Sequence, residues 1–180
     1  MIAEPSPLLH AALAVLGLAA AILDLRTRLL PDWLTLGGMA VGLVLGLAVG
    51  GWDGLVSAFV GMVAGLAVFW LLCSLGMMGG GDVLLMGAMG ALLGWPMAVM
   101  GLVYSALVGA LLGLAVSAAR GNLLRVFRNL WAALSSIFRP KKPRVRLADL
   151  PTDELPYAVA IAIGSGWAAL TAYVPAVALL

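Results

Sequence analysis

Long apolar runs alternate with short polar breaks along the whole chain. A helix needs about 20 apolar residues to cross a bilayer, and six runs are read as spans: Leu8–Leu23, Trp33–Gly50, Leu55–Leu75, Val83–Trp95, Met97–Ala119 and Leu155–Leu180. The fourth is short, and Trp95 and Pro96 part it from the fifth. It is expected to be tilted, partly re-entrant or bounded by thin lipid. The first run is not read as a secretory leader, because its arginines follow it and no basic stretch precedes it. Glycines recur every four residues at Gly38, Gly42, Gly46 and Gly50, and pair at Gly61 and Gly65, Gly90 and Gly94, and Gly109 and Gly113. Such faces let helices approach closely in lipid. Packing within the chain is the plainer use of them, and a homodimer interface is the alternative.

Between the last two runs the pattern changes. Leu123, Val126, Phe127, Leu130, Leu134 and Ile137 keep a helical period, with Arg125 and Arg128 among them. An amphipathic helix on the membrane surface is expected over Asn122–Phe138. The basic tract Arg139–Arg146 follows and suits anionic lipid, with docking of an acidic partner as the alternative. Residues 120–147 thus form a basic loop with an interfacial helix inside a single membrane domain spanning 1–180. No domain surrounds the tract to read grooves or stack bases, so no nucleic-acid partner is expected.

Composition agrees with the pattern. The chain is 64% apolar and 10% charged, against about 25% charged in soluble domains. That excludes an ordinary soluble domain, and the lone Cys73 excludes a disulfide scaffold. The expected fold is all-α, six transmembrane helices plus the amphipathic one. Charge then orients it. Of ten basic residues, Arg26 and Arg28 follow the first run and the other eight lie between the fifth and sixth. With six spans these loops share one side, which the positive-inside rule makes the cytoplasm, both termini lying outside it.

Few residues are left to carry chemistry. Glu4, Asp53, Asp149, Asp153 and Glu154 read as solvated, and Asp32 suits a helix start. Asp24 closes the first span and Asp82 opens the fourth, so both emerge at the cytoplasmic boundary. Singly, Asp24 could pair with Arg28 and Asp82 could cap a helix. Together, at matched depth and behind Gly79, Gly80 and Gly81, they point to function. Two close carboxylates in a low-dielectric site share a proton, which suits aspartic peptide hydrolysis. One His and one Cys cannot build a zinc site, so neither metal nor cofactor is expected. The glycines would let an extended substrate pass close to Asp82, with φ > 0 where needed. Two other classes stay open: a proton-coupled transporter with an aspartate pair on its path, and a non-enzymatic assembly subunit.

These residues resemble the type IV prepilin peptidases. The stretch from Asp24 to Thr35, with Pro31 and Asp32, is similar to the family's first-aspartate motif. Gly79-Gly80-Gly81-Asp82 matches its G-x-G-D, Met86–Trp95 continues in its style, and Leu155–Gly164 resembles the lead-in of its last helix. The resemblance implies Asp24 and Asp82 as the catalytic dyad; Gly79, Gly80 and Gly81 are read as substrate-binding from their lack of Cβ, with a plain turn between the third and fourth spans as the alternative. The resemblance further implies prepilins or pseudopilins as substrates, cut at the cytoplasmic face of the inner membrane after a short basic leader. The paired-cysteine insert of bifunctional members does not occur in the sequence, which resembles the short, peptidase-only branch of tight-adherence (Flp-type) pili. Asp32 stands where the family usually has Asn, and Leu84 where it has Lys. A lysine at position 84 is expected to be tolerated by snorkelling to the interface.

Overall fold

The computed structural model describes residues 6–74, 78–119, 121 and 157–171. Five helices form in this order: α1 (Pro7–Thr27), α2 (Asp32–Ser74), α3 (Gly80–Leu93), α4 (Met97–Ala119) and α5 (Tyr157–Thr171). The fold is all-helical. By length and composition, α1, α2 and α4 are long and apolar enough to cross a membrane, while α3 and α5 are shorter apolar helices.

The second and third expected spans are the two limbs of α2. The break between them is Gly51, at φ 59° and ψ −144°, a left-handed setting that a side chain would strain. The limbs fold back on each other at once. A Cβ on Gly46 would stand 2.9 Å from the Ala58 Cβ, and one on Gly54 would meet the Gly46 carbonyl. The expected loop over residues 51–54 is therefore a helical corner.

Helix α3 lies at the centre. Along its first neighbour, Gly38 faces Ala88 and Gly42 faces Ala91, so the first limb of α2 runs parallel to α3. Gly61 faces Gly90 and Gly65 faces Met86, so the second limb runs antiparallel. Gly17 on α1 reaches Met89 and Ala162, and Gly101 on α4 nears Ser165. Leu85, Met86, Ala88 and Met89 are fully buried in consequence. A helix apolar all round is one enclosed on every side. This explains the short fourth run: 14 residues of helix rise about 21 Å, and protein, rather than lipid, surrounds them. The expected turn at Trp95 and Pro96 is tied to the second limb, Ser57 accepting the Trp95 N–H at 2.9 Å and donating to its carbonyl at 3.0 Å.

The outer surface is apolar. Val15, Leu18, Val44, Trp70, Leu111 and Leu170 are all well exposed, an arrangement suited to lipid. The glycine faces at 38, 42, 46, 61 and 65 are used inside the chain, whereas Gly50 has nothing within 4 Å. Gly121 follows α4 with φ 68°. The interfacial helix over 122–138, the tract Arg139–Arg146 and the remainder of the sixth span beyond Tyr157–Thr171 lie outside the described residues.

Candidate active site

Antiparallel packing brings the end of α1 and the starts of α3 and α5 to one end of the bundle. Helix α1 runs past the expected end at Leu23. The Thr27 hydroxyl donates back to the Leu23 carbonyl at 2.9 Å, and Arg28, at φ 54°, closes the helix by donating its N–H to the Asp24 carbonyl at 2.9 Å. Asp24 therefore sits in the last turn of α1, held by helix on both sides.

The Asp24 side chain is half-buried. Its Oδ2 accepts the backbone N–H of Ala158 at 3.1 Å. Ala158 is in the first turn of α5, where N–H groups have no partner within the helix, so Asp24 caps a helix 134 residues away. Arg28 is close enough for its charge to reach Asp24. The simple ion-pair reading of Asp24 is thus one of two contacts; the bond to α5 is the one that fixes the carboxylate in space.

Asp82 occupies the third position of α3. Its Oδ2 accepts the N–H of Gly79 at 3.3 Å, so it does cap its own helix. It is also close enough to Asp24 for the two charges to interact. The structure thus brings together the two carboxylates that the sequence singles out. Asp32 starts α2 with an exposed side chain, and its carbonyl accepts from the buried Thr35 hydroxyl at 3.1 Å. Asp53 is exposed at the opposite, Gly51 end of the bundle.

The triple glycine differs from expectation in one respect. Gly80 and Gly81 belong to the first turn of α3, and Gly79 caps it at φ −80°. Among the described glycines only Gly51, Gly94 and Gly121 have positive φ, so backbone strain explains none of the three. Space separates them. Among the described residues a Cβ on Gly80 would have nothing within 4 Å, and one on Gly79 would have only the Asp82 Oδ2, at 3.6 Å. At Gly81 a Cβ would press on the Leu30 Cβ at 3.1 Å. Gly81 is a packing position, whereas Gly79 and Gly80 are exposed beside Asp82. Leu84 is half-buried and packs against the core, so a lysine there would have to leave that contact to reach the interface.

Sequence reasoning missed the role of Ala158. The Pro156-Tyr157-Ala158 segment is visible as a helix lead-in, but a backbone N–H leaves no trace in residue type. Among the described residues no three His, Cys, Asp or Glu side chains gather as a metal ion would need.

The model of the Type IV leader peptidase family matches residues 11–114, which include Asp24, Asp82 and the three glycines. The prepilin leader peptidase/N-methyltransferase of Aeromonas hydrophila is 39% identical over 111 residues, covering 58% of this chain and 38% of that protein. Its namesake in Burkholderia pseudomallei (strain 1026b) is 38% identical over 125 residues, covering 63% and 40%. That of Escherichia coli (strain K12) is 35% identical over 130 residues, covering 67% and 56%. The chain thus spans 38% to 56% of the length of these relatives. No solved structure matches.

Proposed function

Because the chain belongs to the type IV leader peptidase family, we propose that it is an aspartic endopeptidase that removes the leader peptide of prepilins or pseudopilins. Asp24 and Asp82 are its catalytic pair. One carboxylate takes a proton from a water molecule as that water attacks the scissile carbonyl. The other donates a proton to the carbonyl oxygen, and proton return to the peptide nitrogen lets the amine leave. The observation that carries the reading is the meeting of Asp24 and Asp82 from two helices at one end of the bundle, with Asp24 anchored to a third.

The membrane setting follows the same reading. Counting the limbs of α2 separately gives six passes in the inner membrane, with both termini outside the cytoplasm. The arginine-bearing end that holds the dyad then faces the cytoplasm, where leaders are cut. Gly79 and Gly80 admit the extended substrate, since a Cβ at either would meet no packed neighbour among the described residues. A carrier would place its carboxylates near mid-bundle, whereas these lie at helix ends. The proposal covers the peptidase part of the relatives' names, the part that two carboxylates can perform.

Co-expression with a candidate prepilin, followed by mass measurement of the pilin, tests the reading. Loss of the leader mass only when the chain is present is the expected result. An intact leader with the chain abundant in the membrane would overturn it.

A further inference from the structure

Two carboxylates activate the water and protonate the scissile carbonyl oxygen, and that oxygen has a second lone pair that can accept another hydrogen bond as it gains charge. Resting on the peptidase reading, we propose that the Tyr157 hydroxyl is a third catalytic group, donating a hydrogen bond to that oxygen. Tyr157 opens α5 immediately before Ala158, whose N–H is held by Asp24 at 3.1 Å. The backbone of this segment is therefore fixed against the dyad. The ring lies over α4 at Gly109, its Cε1 and Cδ1 being 3.9 Å and 4.0 Å from where a Cβ on that glycine would stand. The ring thus rests against α4 at this position.

Tyr157 is half-buried. Tyr157 is thus held beside Asp24 by the backbone of its neighbour Ala158 and lies within range of the Asp82 charge. Among the described residues the hydroxyl makes no hydrogen bond, so its donor is free for a substrate. A phenol keeps its proton at neutral pH and need not exchange it during the reaction. A neutral donor fixed where negative charge develops lowers the barrier without reorganising. Tyr157 lies outside the segment matched by the family model.

The test compares purified wild type with Tyr157→Phe on a prepilin substrate in detergent, measuring kcat, KM and thermal melting on the same preparations. Phenylalanine keeps the ring on Gly109 and removes only the hydroxyl. The expected result is a kcat lower by about 10²-fold, with KM and melting near wild type. A kcat within about twofold of wild type would overturn the role, as would a fall in kcat that tracks a fall in melting. Failure of the wild type itself to cleave would overturn the peptidase reading and this inference with it. Cleavage by both proteins at equal kcat would overturn this inference alone.

Discussion

The glycines of α3 and its neighbours fall into two regions with opposite reasons for being small. Inside the bundle, a Cβ on Gly61 would run into the Gly90 carbonyl, and one on Gly42 would come within 2.9 Å of the Ala91 carbonyl carbon. Beside Asp82, among the described residues, a Cβ on Gly80 would have nothing within 4 Å and one on Gly79 only the Asp82 carboxylate. The first set lets helices touch where no hydrophobic force drives them together. The second set has no packing to serve, and its negative φ at Gly79 gives it no conformational reason either. One residue type thus serves the fold in one place and, under the proposed function, the approach of a substrate in the other.

Substitutions can break this contrast. The largest effect on folding is expected for Gly61→Ala and Gly90→Ala, because backbone on the facing helix cannot yield as a flexible side chain can. Overpacking of this kind costs about 1–3 kcal/mol, read as a lower melting temperature in detergent and poorer membrane accumulation. Gly80→Ala should do the reverse. Alanine in a helix is favoured over glycine by up to about 1 kcal/mol, so melting should hold or rise, while prepilin cleavage falls at least about tenfold, the scale on which displacing a reacting group counts. Unchanged cleavage in Gly80→Ala would remove the substrate-access half of the contrast.

Smaller effects sharpen the boundary between the regions. Leu84→Lys must trade its half-buried packing for a position at the interface. It should insert and cleave, with melting lowered by about 1–2 kcal/mol equivalent, the loss expected for a partly buried leucine. Failure to insert would place Leu84 wholly in the packed region. Ser165 is fully buried and its Oγ has no partner among the described residues. Ser165→Ala should therefore be neutral or slightly stabilising by melting, since no hydrogen bond is lost.

Much of this was legible in the sequence because the signals are local. Run length marked the helices, and glycine at every fourth position marked the packed face of the first α2 limb. Asp24 and Asp82 stood out as charges at the edges of apolar runs. What the sequence hid depends on tertiary contact. Nothing local shows that the two limbs of α2 meet in a tight corner at Gly51 rather than through a loop, or that α3 is short because other helices enclose it. Nor does a motif tell Gly80 from Gly81, whose difference is the nearness of Leu30. The bond from Ala158 to Asp24 joins positions 134 residues apart through a backbone atom, which no residue pattern encodes.

The central claim is that Asp24 and Asp82 act as one unit, and a double-mutant cycle on kcat tests it most directly. Wild type, Asp24→Asn, Asp82→Asn and the double variant would be purified, matched for melting, and assayed on the same prepilin. Each single change should lower kcat by roughly 10²–10⁴-fold or more, and the double variant should be no slower than the worse single, as residues acting together are strongly non-additive. Multiplying losses, or near-normal cleavage by either single variant, would contradict the account.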